Sequence, residues 1–179
     1  MKRLLSHPKT KMELTIYLAG KTLEHAQQST RPFVVAWGGQ CRATHKDVEH
    51  LQSNQEEVDT KTILHAVDAT SDGATEIKVH SPGTDVLVLA LRRYPMLCVD
   101  ASFVTGRVRN HREIKMGPIV QTLGPTRTAA LPAFHAFSRA DNTGSFAGKG
   151  KLGCCKAFLE ADEEVLAAMA RLGTTHTPS

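Results

Sequence analysis

The chain has 179 residues, 41% of them hydrophobic and 22% charged, and a formal net charge of +4. That length and balance point to one globular domain with a sizeable core and exclude a disordered polymer. No apolar run nears the roughly 18 residues of a membrane span, and the opening MKRLLSHPKTK lacks the apolar centre of a signal peptide. An intracellular protein with no membrane partner is expected.

In chain order, Met12, Ile16, Ala19, Leu23 and Ala26 recur every three to four positions, which predicts an amphipathic helix from Lys11 to Ser29. PFVVAW, Pro32 to Trp37, is a short apolar run closed by two glycines and reads as a buried strand. Gly38 to Asn54 reads as polar loop. Asn54 followed by Glu57 has the pattern of a capping box, opening a helix whose buried face holds Val58, Ile63, Leu64 and Val67 and which ends at Gly73. TEIKVH alternates as a strand does, SPGTD is a turn, and a buried helix starts near Asp85. ASFVTG and REIKM are two more strands, joined by the basic loop Arg107 to His111. Helices follow at Pro118–Leu123, Ala129–Ser138, Leu152–Glu160 and Asp162–Leu172. Strands alternating with helices predict an α/β layered fold with a mostly parallel central sheet.

Charge is unevenly spread. Residues 51–100 carry eight acids against four bases, whereas 101–151 carry eight bases (Arg107, Arg109, Arg112, Lys115, Arg127, Arg139, Lys149, Lys151) against Glu113 and Asp141. A basic stretch of this kind suits a polyanion, and equally a solvated face. Cys41, Cys98, Cys154 and Cys155 contain no CxxC pair, and the nine histidines show no HExxH or HxH spacing. Reduced thiols and no zinc site are expected. His135 reads as a packed helix histidine rather than a catalytic base. Arg92 and Arg93 read as complements to the C-terminal dipole of the preceding helix.

The acids fall at element ends: Glu56, Glu57 and Asp59 at a helix start, Asp85 where a strand hands over to a helix, and Asp141 after the LPAFHAF helix. Such carboxylates, brought together, would hold Mg²⁺ or Mn²⁺, and a pair of ions can activate water against a phosphodiester. The alternative is that each acid simply complements a helix dipole, worth about 0.3–1 kcal/mol. The stretch ADNTGSFAGKGK, Ala140 to Lys151, raises a nucleotide-binding loop as a further possibility. That loop needs GxxxxGK[ST], but Gly144 to Gly148-Lys149 encloses three residues and Gly150 occupies the hydroxyl position. No nucleotide cofactor is expected. Glycines and lysines there can instead grip a backbone phosphate, with Gly148, Lys149, Gly150 and Lys151 as the contacts and Arg107 and Arg109 as possible additions.

The segments EEVDTKTILHAVDA, SPGTDVLVLAL and ALPAFHAFSRADNTGSFAGKGK occur in the order and rough spacing of the PIN-like nucleases, and resemble their flap-endonuclease branch. In that branch a helix carries two acids one residue apart, matched by Glu57 and Asp59. A strand-end DxD follows, here Gly83-Thr84-Asp85. An Asp is then followed seven and nine residues later by the glycines of a helix–two-turn–helix, matched by Asp141, Gly148 and Gly150. The chain also resembles a group of uncharacterised, multi-copy animal proteins with EEADT…SPDTDVLVL…GTG…ALPxFHAxTGxDTT…FxGKGK motifs, often suspected of mobile-element association.

The resemblance implies a PIN-like three-layer fold: an amphipathic helix over 1–30, a remnant of the preceding part of the fold, an α/β core over 31–141, and a helix–two-turn–helix-like segment over 142–179. It implies a Mg²⁺- or Mn²⁺-dependent phosphodiesterase acting on nucleic acid, DNA more than RNA, with Glu57, Asp59, Asp85 and Asp141 as ligands and catalytic carboxylates. The chain departs from that pattern at Gly83, which stands where the relatives carry Asp. Arg139-Ala140 replaces Gly-Cys, Asn142-Thr143 replaces the usual TT, and TGRVRN replaces GTG. Residues 1–10 contain no acid, so the first-strand Asp of the superfamily has no counterpart and the chain is expected to begin part-way through the fold. Little or no hydrolysis is therefore expected, with a non-catalytic nucleic-acid-binding module as the alternative.

Overall fold

A computed structural model describes residues 7–29, 31–52, 58–106, 110–139 and 151–172. The chain forms two compact units, Met1–Lys61 and Thr62–Ser179.

The first unit opens with helix α1, Pro8–Gln27, whose Pro8 occupies the first turn, where a missing N–H costs nothing. Ala19 and Ala26 are its buried residues, while Met12 and Tyr17 are 60% exposed. Strands β1, Val34–Trp37, and β2, Gln40–Ala43, pair antiparallel from Val34 opposite Ala43 to Trp37 opposite Gln40. Gly38 takes φ 53 in the two-residue turn between them, a backbone that suits glycine. Cys41, Val48 and Leu51 form a small core with Val34 and Ala43. The loop expected over Gly38 to Asn54 is therefore a strand and a 3-10 turn, Glu49–Leu51. QCRA has no apolar run of its own and becomes a strand through its ladder with β1, a tertiary effect.

Helix α2, Val58–Ser71, ends before Gly73, which has φ 93. Ile63 and Ala66 form its buried stripe, whereas Leu64, expected inward, is 42% exposed. Residues 63, 66 and 67 share one helix face and 64 turns off it.

In the second unit, strand β3, Glu76–His80, alternates with Ile77 and Val79 inward. Helix α3, Thr84–Arg93, connects it to strand β4, Asp100–Thr105, which runs parallel to β3. Strand β5, Arg112–Lys115, returns antiparallel on the other side of β4, giving the order β3-β4-β5. This described sheet has one parallel and one antiparallel ladder, so the fold is mixed α/β and the sheet is not mostly parallel. Central β4 buries Ala101, Ser102, Phe103 and Val104, as expected of a strand covered on both faces. Val86, Ala90 and Leu91 of α3, Leu97 and Met116 complete the core.

Helix α4, Met116–Arg139, is bent at Gly124, where φ 74 and ψ 168 leave the helical region. Gly124 starts a second helical half, and Pro125, with its fixed φ and no N–H, suits the first position of that half. The two helices expected at 118–123 and 129–138 are the two limbs of this bent rod. Helices α5, Lys151–Leu159, and α6, Glu163–Arg171, pack on its second limb through Ala130, Phe158 and Leu166. The rings of Phe134 and Phe158 stack at 4.4 Å and 22°. Arg92 reaches across to donate to the Ala170 carbonyl at 3.4 Å, so it serves the end of α6, and Arg127 donates to the Leu159 carbonyl at the end of α5. None of the four cysteines is in a disulfide. No helix of the described residues is long and apolar enough to cross a membrane.

Candidate functional site

The site is built where β3 ends. Ser81 follows the strand and its N–H donates to the Val104 carbonyl, tying the turn to the end of the parallel neighbour β4. The Ser81 hydroxyl then accepts the N–H of Gly83 at 3.2 Å, a local turn of the kind serine favours. Gly83 sits at the N-cap of α3 with φ -92 and ψ 141, and Asp85 lies in the first turn of the helix. The carboxyl ends of parallel strands are where α/β sheets expose ligand-binding groups, and the helix N-terminus favours a negative charge there.

Asp85 does not stand alone. His135, on the second limb of α4, brings its Nε2 to 2.6 Å from Asp85 Oδ1. A carboxylate only accepts, so the pair is made with the proton on Nε2. The His135 side chain is 19% exposed and that of Asp85 46%, so the ring is sheltered while the carboxylate still meets solvent. His135 is thus a packed helix residue and also a partner of the acid. No spacing in the sequence marks the pairing, since the two positions lie 50 residues apart and meet only through the packing of α3 on α4.

Gly83, the departure from the DxD pattern, is not demanded by its surroundings. A Cβ built there would have Ser81 Oγ at 3.8 Å as its nearest neighbour, an ordinary contact, and its φ is open to any residue. A side chain at this position would therefore fit the backbone.

Asp59 lies in the first turn of α2, half-buried, in the first unit. Lys151 opens α5, with its side chain outside the described part. Glu57, Arg107, Arg109, Asp141, Gly148, Lys149 and Gly150 lie outside the described residues. The loop that carries Arg107 and Arg109 is pinched at its base: Gly106 has φ 95, and a Cβ there would lie 2.0 Å from the Asn110 carbonyl oxygen.

A second charged cluster lies on the sheet. Ser102 Oγ, buried, donates to Glu113 Oε1 at 2.9 Å. Lys78 bridges Glu76 at 3.2 Å and Glu113 at 3.6 Å, and Lys115 bridges Asp100 at 2.5 Å and Glu113 at 3.7 Å. The Ser102 hydroxyl, aided by both lysines, holds the Glu113 carboxyl below the usual range. The neighbouring carboxylates, Glu76 first for Lys78 and Asp100 first for Lys115, raise both lysines. Lys115 and Arg127, two of the basic residues of 101–151, therefore have partners within the fold.

The oxygen of Asp85 is of the donor type that Mg²⁺ and Mn²⁺ take. Among the described residues no group of three or more His, Cys, Asp or Glu side chains is placed to hold a metal ion, so they supply a fitting donor and not a complete shell. No protein-family model, curated protein or solved structure matches the chain.

Proposed function

We propose that the chain is a PIN-like, metal-dependent nuclease scaffold, weakly active or inactive on phosphodiester bonds of nucleic acid, DNA more than RNA. Asp85 is its central carboxylate, with Asp141, Glu57 and Asp59 as the other ligands, direct or through water. The observation that carries this reading is the 2.6 Å contact between His135 and Asp85. It fixes the limb of α4 that leads into ADNTG beside the acid at the end of β3. Asp141 follows His135 by six positions in the sequence. With Gly83 in place of a carboxylate, one donor is lacking, and a hard divalent ion held by few carboxylates stays largely hydrated. Little or no turnover follows.

The second reading, a non-catalytic binding module, draws on Lys151 opening α5. The glycine–lysine stretch runs directly into a helix N-terminus, where N–H groups and the dipole favour a phosphate.

Cleavage of flap and single-stranded DNA with Mn²⁺ separates the two. The nuclease reading expects slow, divalent-dependent cleavage that Asp85→Asn and Asp141→Asn remove. DNA affinity that falls with salt, with no cleavage and no response to metal or to Asp85→Asn, supports the binding module instead.

A further inference from the structure

We propose that the groove between the second limb of α4, α5 and α6 is a docking site for an amphipathic helix of a partner protein, one that carries basic residues beside its apolar face. The nuclease reading leaves this surface unused, and the two stand or fall separately.

The groove lies within the second unit and holds a cavity of about 260 Å³. Phe134 and Phe137 line it from α4, Ala157 and Phe158 from α5, and Val165 and Met169 from α6. Phe137 and Val165 are 46% and 50% exposed, so this apolar surface is open to solvent rather than closed into the small core of Ala130, Phe158 and Leu166. The Ser138 hydroxyl at its wall donates to the His135 carbonyl, and the Cys154 thiol is a weak donor, so the lining offers little to a polar ligand. Helices line the groove and no strand does. A chain laid there finds no backbone partners and must satisfy its own N–H and C=O groups, which a helix does.

The rim selects the charge of the partner. Glu160, Asp162, Glu163 and Glu164 place four carboxylates in five positions, flanking the lining residue Ala161 and running up to Val165. All four residues are exposed, and none forms an ion pair among the described residues. Asp162, Glu163 and Glu164 also complement the dipole at the start of α6. Glu160 directly follows the last residue of α5, where a negative charge opposes that helix's dipole, so helix stability does not account for it. Unpaired acids beside an apolar groove repel a nucleic-acid backbone and attract Lys or Arg. A second copy seated face to face on the same groove would set these acids against themselves.

The test is titration of the full chain into a fluorescent helical peptide, roughly four turns long, with leucine on one face and lysine on the other, read by anisotropy. A leucine–glutamate peptide of the same pattern and a scrambled leucine–lysine peptide are the comparisons. The patterned lysine peptide is expected to bind at least about tenfold more tightly than either. Phe137→Gln and Val165→Gln, at exposed positions that a helix-favouring residue can take, are each expected to weaken it about tenfold. Glu160→Gln with Asp162→Asn and Glu164→Gln, in which Asn keeps the helix cap, is expected to weaken it about threefold or more and to flatten its salt dependence. Thermal melts run beside the titrations, and should one Gln variant fail to fold, the other carries the comparison. Equal binding of the patterned and scrambled lysine peptides, equal binding of the lysine and glutamate peptides, or no binding at all overturns the assignment. So does self-association of the chain that Phe137→Gln abolishes, which would give the groove to a second copy.

Discussion

His135 on α4 and Asp85 on α3 meet at 2.6 Å across 50 residues of sequence, and that contact joins the end of β3 to the helix leading into ADNTG. Both residues lie in the second unit, and the site is organised around their pairing.

The vacant Cβ position at Gly83 allows a gain of function to be tested. Gly83→Asp adds a carboxylate two residues before Asp85, against an open space whose nearest atom is 3.8 Å away. Asp is also a better N-cap than Gly, by a few tenths of a kcal/mol. The variant is expected to melt at or slightly above the wild-type temperature and to bind Mn²⁺ about tenfold more tightly, the scale of one added charged ligand contact of about 1.4 kcal/mol. Calorimetric titration beside a thermal melt checks both.

Gly106 is the opposite case. Its φ of 95 and the Asn110 carbonyl oxygen 2.0 Å from a Cβ forbid a side chain without backbone movement. Gly106→Ala is expected to cost about 2–3 kcal/mol, the scale of a forced backbone outlier. Urea denaturation measures it, and an unchanged midpoint would remove the claim that the loop carrying Arg107 and Arg109 is pinched at its base.

Phe158 ties α5 to the second limb of α4 through its ring stack with Phe134. Phe158→Ala is expected to destabilise by about 3 kcal/mol or more. Hydrogen exchange should rise first in α5 and α6, while β3 and β4, in the separate main core, keep their protection.

Glu113 sets a pH response. Its folded carboxyl lies below the ordinary value of 4.5, held there first by Ser102 and then by Lys78 and Lys115. A depressed folded value contributes stability above the unfolded value and loses it as pH falls through the folded one. Stability should therefore decline on the acid side of 4.5, and Ser102→Ala or Glu113→Gln should flatten that decline. Equilibrium denaturation from neutral to acid pH reads the slope, and equal slopes in all three proteins would contradict the assignment.

Much of the second unit is legible in the sequence because its signals are local. EIKVH alternates, SPG interrupts it, and DVLVLAL then packs one face, so strand, turn and helix appear where expected. Gly124-Pro125 likewise marks the bend of α4. Strand β2 is not legible, since QCRA becomes a strand only beside β1. The antiparallel return of β5 has a local signal, two strand runs joined by a short hairpin-like segment, and the expectation of a mostly parallel sheet passed over it. At the site, the acid at the end of β3 is readable from its place in the turn. Its imidazole partner is not, because the contact arises from one helix lying on another and leaves no spacing to recognise.

Cleavage of a flap DNA substrate by Gly83→Asp, measured with and without Mn²⁺ alongside wild type, is the most direct test of the central claim. Mn²⁺-dependent cleavage at least about tenfold faster than wild type is expected, the rate equivalent of about 1.4 kcal/mol of added stabilisation, with its loss when Asp85→Asn or Asp141→Asn is added. Cleavage that ignores Mn²⁺ and both Asn substitutions, or no cleavage at all in the restored variant, would contradict it.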